Sequence, residues 1–163
     1  MKNTDLEDME IQEELGKSFN PFTFEKKDSP KVSRLKKSLS DMRSKWTEII
    51  IEHDESFKDI KKISNTKIIS DRQRLIEETF TIQDHVEKTL RQLKQEKKQC
   101  YDNNIGKFKS YQAIYLQIDG LVAETEQFYN LLVNHIKFLN ETLRSLDHLI
   151  YQIKNKIKFD ELL

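Results

Sequence analysis

The sequence predicts an all-α fold, an extended coiled coil of two to three long helical segments that forms part of a hetero-oligomeric bundle. The 163 residues include only three Gly and two Pro, too few for the turns that a sheet requires. Charged residues make up 34% of the chain and apolar ones only 36%, which indicates a thin core. Apolar residues also recur at alternating spacings of three and four along most of the chain.

Residues 1–29 are predicted to form an acidic, mostly disordered tail. They include Gly16 and Pro21, and residues 1–30 carry four basic and eight acidic side chains. Asn20-Pro21-Phe22 matches a docking motif for one class of endocytic adaptor domains. An adaptor-binding protein of membrane trafficking is therefore one alternative, whereas a tail that packs on a partner or has no role is another.

The first coiled-coil segment is predicted over residues 30–64. Ser29 or Asp28 can cap its first turn, where Pro30 loses nothing because that N–H group has no helical partner. Eight of the ten positions at heptad spacing are apolar: Val32, Leu35, Leu39, Met42, Trp46, Ile49, His53, Ser56, Ile60 and Ile63. His53 is interpreted as a polar residue that sets the register, and Trp46 as a core anchor.

The second segment is predicted over residues 65–101. The short polar side chains of residues 64–71 compete with helical backbone bonding, and the seam changes register there. A weaker seam follows, with five apolar residues in eight positions: Leu75, Thr79, Ile82, Val86, Thr89, Leu93, Glu96 and Cys100.

The third segment is predicted over residues 107–160, after a break at residues 102–106 that contains Gly106. Its seam is apolar or aromatic at thirteen of fourteen positions, from Tyr111 to Ile157. An adjoining row adds four more apolar side chains: Ile114, Leu121, Phe128 and Leu149. This width indicates packing among three or more helices.

The heptad seams are the predicted partner-binding surface. The residues assigned to it are Leu35, Leu39, Met42, Trp46, Ile49, Ile60, Ile118, Val122, Leu132, Ile136, Leu139, Leu143, Leu146, Ile150 and Ile153.

No pattern of catalytic, cofactor-binding or metal-ligating residues stands out, so we expect no enzyme, no cofactor and no small-molecule substrate. The four histidines have no metal-ligand spacing, and the sequence has no phosphate-binding glycine loop. Equal numbers of basic and acidic residues, 28 each, argue against nucleic acid as a partner. A lone Cys100 fits a reducing compartment, and no apolar run is long enough for membrane insertion.

Residues 35–157 resemble the coiled-coil region of the central-channel nucleoporin family. The similarity includes Lys45-Trp46 with Phe57 three turns later, Asp71-Arg72 before Leu75, and the order of Leu and Ser in residues 136–146. The resemblance implies a rod of three segments that assembles with two further channel nucleoporins and docks on a linker nucleoporin. Family members also carry Phe-Gly repeats, and this sequence has no Phe-Gly dipeptide, so a permeability-barrier role is not implied.

The expected function is that of a structural coiled-coil subunit, in the nuclear pore central channel subcomplex that supports nucleocytoplasmic transport. The expected location is the nuclear pore complex in the nuclear envelope, with the cytoplasm as the alternative. The same heptads would suit a coiled-coil subunit of a kinetochore, spindle, vesicle-tethering or endocytic complex.

Overall fold

The computed structural model of the protein describes residues 28–59 and 63–161, and within these ranges it contains three long helices and no strand. The helices are α1 (Pro30–Phe57), α2 (Asn65–Asn104) and α3 (Tyr111–Glu161). The all-α class predicted from composition is confirmed. Residues 1–27 of the predicted acidic tail lie outside the described residues.

Serine side chains cap the first two helices. Ser29 precedes α1, and its hydroxyl oxygen accepts a hydrogen bond from the backbone N–H of Val32 at 3.2 Å. Ser64 precedes α2 and accepts from the backbone N–H of Lys67 at 3.3 Å. Each cap satisfies a backbone donor that the first turn of a helix leaves without a partner. The polar segment after residue 63 therefore begins a helix instead of merely disturbing a continuous one.

The turn between α2 and α3 lies close to the predicted break but begins later. Asn104 is the last residue of α2, and its side-chain amide donates to the carbonyl oxygen of Cys100 at 2.7 Å. Gly106 then has a φ of 82°, a conformation that glycine adopts without steric cost. Helix α3 begins at Tyr111 and not at residue 107, with Ser110 accepting a hydrogen bond from the backbone of Ala113.

Helices α2 and α3 run antiparallel to each other. Arg72 near the start of α2 pairs with Asp147 near the end of α3, at 2.6 Å. Lys97, towards the end of α2, lies 3.5 Å from Glu126 in the first third of α3.

Helix α1 runs parallel to α3. The amide of Gln127 donates to Asp28, just before α1, at 2.8 Å, and the ammonium of Lys156 donates to the carbonyl oxygen of Phe57 at 3.1 Å. The residue numbers of α1 and α3 therefore increase in the same direction along the bundle. With α2 antiparallel to α3, the chain reverses direction after α1 and again after α2. The rod that the sequence predicted as extended instead folds back on itself.

One hydrophobic core joins all three helices. Its buried members come from each helix at heptad spacing: Leu39, Trp46, Ile68, Leu75, Ile82, Leu132, Leu139, Leu146 and Ile153. Because α3 faces both other helices, its buried stripe is wide. His135, Thr142 and Leu149, from the row beside the seam, are buried, whereas Ile136, Leu143 and Ile150 are only half-buried.

Beyond the start of α1, the described residues form two packed helices in place of three. We call this part the arm, and it consists of residues 93–104 of α2 and 111–126 of α3. A second, smaller core lies within the arm and contains Leu93, Ile114, Ile118 and Val122. The arm follows from length, because α3 has 51 residues and α1 only 28.

Candidate partner-binding surfaces

Most of the predicted partner-binding seam packs within the chain itself. Eight of the assigned residues are buried: Leu39, Trp46, Ile118, Val122, Leu132, Leu139, Leu146 and Ile153. Six others are half-buried against the three-helix core: Leu35, Met42, Ile49, Ile136, Leu143 and Ile150. Ile60 lies outside the described residues. A heptad pattern does not state which chain supplies the neighbouring helix, and here helices of the same chain supply much of it.

A buried polar contact links α1 to α2. The Nε2 atom of His53 lies 2.8 Å from Oδ2 of Asp71, and the side chains are 4% and 11% exposed. Arg74 holds the other carboxylate oxygen at 3.1 Å. Buried polar groups of this kind have few alternative partners, so we infer that the pair favours one alignment of the two helices. This agrees with the interpretation of His53 as a register-setting residue.

Trp46 is a core residue, as the sequence predicted, with no exposed surface. Its indole N–H donates to Glu78 at 3.0 Å, and the guanidinium of Arg74 lies 5.0 Å from the ring centroid. The second carboxylate oxygen of Glu78 is buried without a hydrogen-bond partner. Trp46 therefore packs between α1 and α2, and none of its surface is accessible to a ligand.

His135 is fully buried on the side of α3 that faces α1. Its Nδ1 accepts a hydrogen bond from Nε of Arg43 at 3.3 Å, and its Nε2 has no partner. Burial lowers the pKa of His135 from 6.5 to about 4, with a further contribution from the positive charge of Arg43. The imidazole is thus neutral at physiological pH and belongs to the core.

A groove of about 730 Å³ runs between α1 and α3. One wall is formed by the end of α1, with Ile50, Ile51, Asp54, Glu55 and Lys58. The other wall is formed by α3, with Arg144, Ser145, His148, Leu149 and Gln152. None of these ten residues belongs to the predicted partner-binding seam. The available signal was Ile49-Ile50-Ile51, three consecutive isoleucines where one seam needs only one.

The arm exposes a second group of apolar side chains. Without α1 beside them, Tyr111, Tyr115, Leu116 and Leu121 of α3 are all more than half exposed. Phe108 and Ile105 in the adjoining turn are also exposed.

The described residues bring together no set of three histidine, cysteine, aspartate or glutamate side chains that could hold a metal ion. Cys100 is a free thiol, half-buried in the arm. In the part of the chain that the structure describes, no helix is sufficiently long and apolar to cross a membrane.

No protein-family model, no curated protein and no solved structure matches this chain. The resemblance to central-channel nucleoporins therefore stays a prediction that rests on the residues quoted for it.

Proposed function

We propose that this chain is a structural, non-enzymatic coiled-coil subunit of a multiprotein assembly. The observation that carries the proposal is the arm, where α3 and α2 extend beyond α1 and no third helix of the described residues packs beside them. Four large apolar side chains of α3 are exposed there within eleven residues. An apolar face at the end of a highly charged bundle is typical of a protein-interaction surface.

Within this proposal, the nuclear pore central channel subcomplex is the specific assembly that we favour. The support is the sequence resemblance of residues 35–157 to the channel nucleoporins. Partners would be two further channel nucleoporins and a linker nucleoporin, at the nuclear envelope.

Affinity purification of the tagged full chain from its own cells, followed by mass spectrometry, tests the proposal. We expect stoichiometric recovery of other coiled-coil proteins, with channel nucleoporins among them. A fluorescent fusion of the full chain, imaged in the same cells, should give a signal at the nuclear rim. Leu121→Asp should reduce the recovery of partners, because it places a carboxylate on the exposed face of the arm. Phe80→Asp is a matched control, since Phe80 is equally exposed on α2 outside the arm.

Recovery of the chain alone would overturn the proposal. Recovery of stoichiometric coiled-coil partners from a kinetochore or a vesicle tether, with no signal at the nuclear rim, would retain the structural role and reject the nuclear pore.

A further inference from the structure

The walls of the α1/α3 groove have the geometry of a binding site for another helix. On α1 and the residue that caps its C-terminus, the lining positions are 50, 51, 54, 55 and 58, and on α3 they are 144, 145, 148, 149 and 152. Both sets follow the same spacing over two helical turns, about 12 Å along the axis. Because the two helices are parallel, these rows form matched ridges, between which side chains of a third helix can pack.

The bottom and the rim of the groove are apolar. Leu149 is buried at the bottom of the groove. Ile50, the other apolar lining residue below the rim, is half-buried and packs against the core that all three helices share. Ile51 stands on the rim and is 52% exposed. A helix in the groove would cover Ile51, which nothing else in the described chain covers.

The two walls differ in charge. The α1 wall carries Asp54, Glu55 and Lys58, a net charge of −1, and neither carboxylate forms an ion pair with any described residue. On the α3 wall, Arg144 has no carboxylate partner among the described residues, and His148 is hydrogen-bonded to Gln152 at 2.9 Å. An occupant would therefore meet a net negative charge on one side and a positive charge on the other.

We propose that this groove binds an amphipathic helix of a different protein. The helix presents an apolar stripe to Ile50, Ile51 and Leu149, basic residues towards α1, and acidic residues towards α3. This inference rests on the proposed role as an assembly subunit and names a site separate from the arm.

Charge favours a different protein over the acidic part of the chain's own tail. Residues 5–15 contain six carboxylates and no basic residue, so they would face Asp54 and Glu55 with like charge.

The test is site-specific photo-cross-linking of the full chain in its own cells. A photoreactive phenylalanine analogue replaces Ile51, and in a matched control it replaces Ile69, which is 58% exposed on α2. We expect the residue-51 probe to cross-link one identified protein, within a helical segment that has the stated order of apolar, basic and acidic residues. The residue-69 probe should not cross-link that segment.

Substitutions in the groove give a quantitative readout. Ile51→Asp should lower the recovery of the cross-linked protein at least tenfold, whereas Ile69→Asp should change it less than twofold. Circular dichroism of both variants checks that each is folded. Arg144→Glu should weaken recovery as well, because it removes the positive wall.

The failures can be told apart. If wild-type chain recovers stoichiometric partners and Ile51→Asp recovers them equally, the groove proposal is overturned and the assembly role stands. If the residue-51 probe cross-links a second copy of this chain or residues 1–27, the proposed occupant is wrong. If wild-type chain recovers no partner, the assembly role itself fails.

Discussion

The buried contact between His53 and Asp71 gives the sharpest stability prediction, through a double-mutant cycle with leucine. His53→Leu removes the 2.8 Å hydrogen bond and leaves a carboxylate that is 11% exposed with Arg74 as its one remaining partner. The expected loss in the free energy of unfolding is about 2–4 kcal/mol, by analogy with other broken buried pairs. Asp71→Leu leaves a buried imidazole nitrogen without a partner, at about 1–3 kcal/mol.

The double variant should recover most of this loss. Two leucines can pack together, and replacement of a buried polar pair by apolar residues is often neutral. Adding the two single losses gives the free energy of unfolding expected without coupling. We expect the measured free energy of unfolding of the double variant to exceed that value by about 2 kcal/mol or more. Urea denaturation of the purified chain, followed by circular dichroism at 222 nm, measures all four corners of the cycle.

The exposed pair of Arg72 and Asp147 provides the control cycle. Its atoms are 2.6 Å apart, but the side chains are 37% and 48% exposed. Its coupling should be below about 1 kcal/mol, as for other surface ion pairs. Additive effects at His53 and Asp71, within about 0.5 kcal/mol, would refute the reasoning that this contact holds α1 in register with α2.

Three further predictions concern single positions. Gly106→Ala should destabilise the chain by about 1 kcal/mol in urea denaturation because of the φ of 82°, whereas a gain would indicate a continuous helix. Leu139→Asp should unfold the isolated chain, seen as lost ellipticity, because Leu139 is fully buried among all three helices; retained helicity would contradict that packing. His135, whose pKa is lowered to about 4, stabilises the fold fully above pH 6.5 and loses that contribution as pH falls towards 4. His135→Phe should flatten the fall in melting temperature between pH 6.5 and 4, and an unchanged slope would count against it.

Heptad spacing predicted most of the buried residues, because burial on a helix follows its period, but Tyr111 and Tyr115 at the start of the predicted α3 seam are exposed. Val32, Leu39, Trp46 and His53 lie seven apart and are all buried in α1. In α3 the buried row at Leu132, Leu139, Leu146 and Ile153 likewise lies on the predicted seam.

The neighbours of each helix could not be predicted in this way. A period reports that a stripe is buried, but not whether a partner or the same chain covers it. Which helices cover the stripe depends on the reversal of chain direction between Phe57 and Asn65. This reversal places α1 beside both α2 and α3. The groove was missed for the same reason, since Ile51 and Arg144 become neighbours of one site only after α1 and α3 lie parallel.

The parallel arrangement of α1 and α3 is the central claim, because both the shared core and the groove depend on it. It can be measured directly as a distance between spin labels at Ile51→Cys and His148→Cys, in a chain where Cys100 is replaced by serine. Helix axes in contact lie about 8–10 Å apart, so the labels should give a narrow distribution at roughly 10–30 Å. The labelled chain is diluted with unlabelled chain, so that only distances within one chain contribute. An extended rod would separate these positions by more than about 100 Å, and the absence of a dipolar signal would contradict the account.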